Sequence, residues 1–68
     1  MMTLGQRIKY HRKRCGYTQQ KFANLLNISP QAISKWENDR SMPDILTLSK
    51  IASLLQLTFD ELVEGLFP

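Results

Sequence analysis

The chain is poor in the devices that staple small proteins together. Cys15 is its only cysteine, so no disulfide can form within it. Together with the single His11 it falls far short of the four ligands of a structural zinc site. No apolar stretch approaches the ~20 residues of a membrane span, and nothing at the N-terminus resembles a signal peptide. Strand signals are missing as well: no β-branched run alternates, and there is no Asn-Gly or Asp-Gly hairpin turn. Acid is absent from the whole first half. Residues 1–36 hold seven basic side chains (Arg7, Lys9, Arg12, Lys13, Arg14, Lys21, Lys35) and no carboxylate, whereas residues 37–68 hold all six acids and only Arg40 and Lys50.

These absences leave helix packing, with or without self-association, as the way a 68-residue chain that is 43% apolar acquires a core. One domain over residues 1–68 is expected. A lone reduced cysteine fits the cytosol, so the expected setting is soluble and cytoplasmic. The basic half is either a solvated helix face or a surface for nucleic acid or an acidic membrane.

Helix signals recur with their own punctuation. Thr3 and Gln6 form a capping box for a first helix running to about Cys15, with Leu4, Ile8 and Cys15 on one face and Gly16 as its stop. Thr18 caps a second helix, about 19–26, whose inner face carries Phe22, Ala23 and Leu26. Asn27 follows, a residue that tolerates the left-handed region. Ser29 caps a third helix, about 30–37, with Pro30 at its first position and Ile33 and Trp36 pointing inward. Asp44 caps a fourth, striped with Ile45, Leu48, Ile51, Ala52 and Leu55. Thr58 and Glu61 box a fifth, burying Phe59 and Leu62 and ending at Gly65. The expected fold is all-α, a compact five-helix domain.

Only "NIS" separates the second helix from the third, a link too short for them to lie antiparallel. The pair is either an ordinary αα-corner or a helix-turn-helix whose second helix can enter a DNA major groove. Residues Thr18-Gln19, Phe22-Ala23, Ile28-Ser29, Ile33-Ser34, Trp36-Glu37-Asn38, Met42-Pro43-Asp44 and Phe59-Asp60-Glu61-Leu62 occur in one order and spacing over about residues 4–65. In these the chain resembles the lambdoid phage repressor and Cro-type helix-turn-helix domains (XRE-like transcriptional regulators). It departs from their pattern at Asn27 and Asp39, where glycine is frequent.

The resemblance implies a sequence-specific regulator of transcription, most simply a repressor, bound as a homodimer to a palindromic operator with the third helix in the major groove. Gln31, Ser34 and Lys35, on the face opposite Ile33 and Trp36, would read bases; glutamine suits adenine, and lysine suits guanine. Gln19, Ser29, Asn38 and Arg40 would contact phosphates. Arg12 and Glu37 would form an ion pair locking the third helix to the first. Arg7, Lys9, Lys13 and Arg14 read as a solvated face that supplies field. Pro30 can offer a methylene surface but no hydrogen bond, so direct readout should rest on few residues and lean on DNA shape. Val63, Leu66 and Phe67 are apolar beyond the core's needs and would form the dimer contact, or else fold back on their own core.

No catalytic residue, metal, cofactor or small-molecule ligand is expected. His11 and Cys15 stand at i and i+4 but lack an orienting third group, and Cys15 reads as core. Two other functions fit the same residues. One is an antitoxin or restriction-modification controller of this fold. The other is a protein-interaction module that docks through the third helix or the apolar tail.

Overall fold

A computed structural model of the chain describes residues 2–66, all of them in helices or their connections, with no strand among them. The helices are α1 (Leu4–Arg14), α2 (Gln19–Leu26), α3 (Pro30–Glu37), α4 (Ile45–Leu54) and α5 (Phe59–Val63). Each starts where a short polar side chain can accept an otherwise unpaired backbone N–H. Thr3, Thr18, Ser29, Asp44 and Thr58 all have extended backbone and each takes the N–H of the residue three further on. Thr3 with Gln6 and Thr58 with Glu61 complete reciprocal capping boxes.

The first four helices end alike. At Gly16, Asn27, Asp39 and Gln56 the backbone turns left-handed, with φ of 81, 58, 58 and 61°. In each case that residue's N–H returns to the carbonyl three residues back, and the following N–H reaches the carbonyl five back. This is the paired Schellman closure. Only the first of the four is glycine. Asparagine and aspartate tolerate this region, whereas Gln56 holds it at a steric cost.

The principal helix contacts close into a ring: α1 on α3, α3 on α2, α2 on α4, α4 on α5, and α5 back on α1. Each helix sends one large side chain fully into the centre, namely Ile8, Phe22, Ile33, Ile51 and Leu62. Trp36 is buried in the core, as its spacing from Ile33 implies. Every helix therefore contributes to the core, and none can leave without opening it.

Two expected core residues lie elsewhere. Ile45 is 69% exposed, and only Leu48, Ile51, Ala52 and Leu55 of the α4 stripe are buried. Ile45 opens α4 beside Met42 and Leu46, which are also exposed. Cys15 is exposed, because α1 stops at Arg14 and Cys15 is already its C-cap. Its thiol donates weakly to the Leu55 carbonyl at 3.8 Å. Phe59, Val63 and Leu66 are partly buried against the core; Phe67 lies outside the described residues.

Candidate nucleic-acid interface

Helix α3 is short, and its placement rests on one buried polar cluster. Arg12 and Glu37 are the two buried charged residues among those described, with side chains 7% and 2% exposed. The guanidinium donates through Nε to Glu37 Oε2 at 2.6 Å and through Nη2 to Oε1 at 3.1 Å, a two-pronged pair. Its Nη1 donates to the Tyr17 carbonyl at 2.7 Å. Gln19, at the start of α2, donates Nε2 to Glu37 Oε1 at 3.0 Å. One carboxylate thus collects α1, α2 and the α1–α2 turn onto the last turn of α3. No buried side-chain polar atom among the described residues is left without a partner.

The link from α2 to α3 is Asn27–Ser29, with Asn27 left-handed. Ser29 Oγ accepts the Ala32 N–H at 3.2 Å, and Pro30 occupies the first helical position. With Ile33 and Trp36 buried, Gln31 and Lys35 are exposed and Ser34 is half-buried on the opposite side. After the helix, Asn38 folds its amide back, donating Nδ2 to the Ser34 carbonyl at 2.9 Å. Arg40 is exposed, and its N–H closes on the Lys35 carbonyl at 2.8 Å. Gln31, Lys35, Asn38 and Arg40 are thus exposed along and after α3, with Ser29 exposed at its N-cap, whereas Ser34 and Gln19 are half-buried.

Three residues escape a reading of sequence alone. Asp39 is more than a departure from glycine: its carboxylate accepts the Thr3 hydroxyl at 2.7 Å and the Gly5 N–H at 3.2 Å. Gly5 makes this possible, since a Cβ there would lie 2.1 Å from the Trp36 carbonyl oxygen and 2.7 Å from Asp39 Oδ1. Arg7, expected in the solvated face, is half-buried and donates Nη1 to the Leu62 carbonyl at 3.2 Å, at the end of α5. A glycine in the first turn of α1 was the available signal for a close approach. Arg7 offered none.

The basic face of α1 is otherwise exposed at Lys9, Lys13 and Arg14. Arg14 lies 5.6 Å from the centre of the Tyr10 ring and donates to its hydroxyl at 3.0 Å. Partial burial, then Arg14, then Arg7, hold the His11 pKa below its ordinary value. Among the described residues no cluster of His, Cys, Asp or Glu could hold a metal ion, and no helix is long and apolar enough to cross a membrane.

Two short helices joined by three residues, the second braced at its end and bare along one side, define a helix-turn-helix domain. The chain belongs to the helix-turn-helix family, whose model matches residues 8–62. It is 40% identical over 62 residues to the HTH-type transcriptional regulator ImmR of Bacillus subtilis strain 168, covering 91% of this chain and 49% of that protein. Against the SPbeta prophage-derived uncharacterized HTH-type transcriptional regulator YonR of the same strain it is 38% identical over 61 residues, 90% of this chain and 56% of the relative. The chain spans about half the length of these curated relatives. Its fold matches the crystal structure of the P22 c2 repressor in complex with synthetic operator 9T with a TM-score of 0.86 and 29% identity, covering 96% of this chain and 98% of that one.

Proposed function

We propose that this chain is a sequence-specific double-stranded DNA-binding regulator of transcription, acting as a repressor, in the cytoplasm and without catalysis. The observation that carries the reading is the outward Gln31–Ser34–Lys35 face on a helix whose other side is fixed by the buried Arg12–Glu37 pair and Gln19. A helix held this firmly can present three polar side chains to base edges at little entropic cost. Gln31 suits adenine, Lys35 donates to guanine, and Ser34 suits either. Around them, Gln19 keeps its second amide N–H, Ser29 keeps its hydroxyl proton, and Asn38 and Arg40 stand at the exit turn. These four are the proposed phosphate contacts.

A homodimer on a palindromic operator would set two α3 helices about 34 Å apart, one turn of DNA. The described part of its contact would be Val63 and Leu66, which are half-buried against the core and leave part of each side chain free. The likeness to an operator-bound repressor structure supports the DNA-binding part of this reading.

The test is selection of bound sequences from a pool of random duplexes with the wild type and with Gln31→Ala. The wild type should enrich a two-fold symmetric consensus, and Gln31→Ala should lose preference at one position per half-site. An unenriched wild-type pool would sink the sequence-specific reading. The rival reading is a protein-docking module that uses the third-helix face or the apolar tail, and the exposed Met42, Ile45 and Leu46 add apolar surface beyond that helix. Salt separates the two: DNA affinity falls log-linearly, with a slope of about −0.9 per phosphate neutralised, whereas an apolar contact hardly responds.

A further inference from the structure

Asp39 is an acid two residues past the end of α3, between the two proposed phosphate contacts Asn38 and Arg40. A carboxylate there should repel a phosphate backbone. We propose instead that Asp39 is a positioning residue for DNA binding: it anchors the exit turn of α3 to the N-terminus of α1 and so fixes Arg40 for a phosphate. The inference rests on the DNA-binding reading above.

Three features support it. Both carboxylate oxygens are engaged by α1, Oδ2 by the Thr3 hydroxyl and Oδ1 by the Gly5 N–H. These donors lie at the N-terminus of α1, where the helix dipole and unpaired N–H groups favour an anion, so the charge is spent inward. Thr3 is itself held, since its Oγ1 also accepts the Gln6 N–H at 3.1 Å and its N–H donates to Gln6 Oε1 at 2.9 Å. The approach is close enough that Gly5 admits no side chain. Finally, Asp39 has φ of 58°, its N–H returns to the Trp36 carbonyl, and the next N–H, of Arg40, closes on Lys35. With its side chain on one helix and its backbone on another, Asp39 leaves the Arg40 Cα little freedom. Glycine could make the same turn but not the tie to α1.

Two variants separate positioning from simple electrostatics. Asp39→Gly removes an acid beside DNA, which by charge alone would tighten binding. Loss of positioning should weaken it, by roughly tenfold, the size of one charge-assisted hydrogen bond. The salt slope should shrink by about 0.9, the share of one phosphate. Asp39→Asn keeps an acceptor for Gly5 or Thr3 while removing the charge, and should bind at least as well as the wild type. Thermal melting of each variant fixes a temperature at which all are folded, and binding of the selected duplex is titrated there from low to moderate salt. Asp39→Gly binding equal to or tighter than wild type with an unchanged slope would overturn the proposal, as would Asp39→Asn failing as badly as Asp39→Gly. If the wild type itself selects no duplex, the DNA-binding reading falls instead, so the two failures are distinguishable.

Discussion

At the scale of the residue, Glu37 holds the most weight. It accepts three side-chain hydrogen bonds, two from Arg12 and one from Gln19, in a nearly solvent-free position. Glu37→Gln would leave the Arg12 guanidinium buried without its counter-charge, a situation that costs up to about 3–5 kcal/mol. For a domain of this size each kcal/mol lowers Tm by roughly 4–8 °C. The variant should therefore melt well below the wild type and lose operator affinity; unchanged melting and unchanged binding together would contradict the bracing role. Gly5→Ala is the second residue-scale case. Its methyl meets the Trp36 carbonyl and Asp39, so α1 and α3 must separate, with an overpacking cost of about 1–3 kcal/mol. Calorimetric melting checks it, and a Tm equal to wild type would show that the junction yields freely.

At the scale of the element, helix ends decide more than helix middles. Gln56 makes the same left-handed closure as Gly16 but carries a side chain in a region that disfavours one. Gln56→Gly should stabilise the fold by about 0.5–1 kcal/mol, minus the extra freedom glycine gives the unfolded chain. The same substitution at Asp39 should not stabilise, because that side chain has partners. A denaturation series on both variants tests the contrast, and equal shifts would refute it. Helix α1 also carries a pH dependence. His11 has a folded-state pKa below its unfolded value of about 6.5. The unfolded chain therefore binds the proton more readily, and stability is full above about pH 7.5 and declines as pH falls through the unfolded value toward the folded one. Melting followed from pH 8 to 5 should show this decline, and His11→Gln should flatten it. An unaltered profile in the variant would place the titration elsewhere. The caps Asp44 and Glu61 have lowered pKa values through hydrogen bonds to Thr47 and Thr58, and their contribution fades only in stronger acid, as pH falls through those lowered values.

At the scale of the whole molecule, the helix ring explains why so short a chain needs no staple. Five side chains, one per helix, fill a single centre. Phe22→Ala should cost about 3–5 kcal/mol, a large part of the 5–15 kcal/mol typical of a whole domain. Circular dichroism should find that variant largely unfolded at moderate temperature; a modest Tm shift would mean the ring closes around the gap.

Much of the fold was legible in advance, and the reasons are local. Helices α2 and α3 begin and end where Thr18, Asn27, Ser29 and Pro30 imply, because capping and turn chemistry act within three or four residues. The inward pair Ile33 and Trp36 followed from helical spacing. The errors lie where one more turn of helix, or a neighbour above it, mattered. Periodicity put Cys15 and Ile45 on apolar faces, but α1 ends before the first and the second stays largely exposed. Arg12 with Glu37 came from resemblance. Arg7 with Leu62, and Asp39 with Thr3 and Gly5, join residues 34 to 55 positions apart, and no local rule reaches that far. The sequence by itself determined five capped helices, their short connections and the basic first half, since each depends on neighbouring residues alone. Tertiary structure alone decided which polar groups are consumed in holding α3 and which stay free on its outer face, because a side chain's availability depends on what the folded chain brings within hydrogen-bonding distance of it.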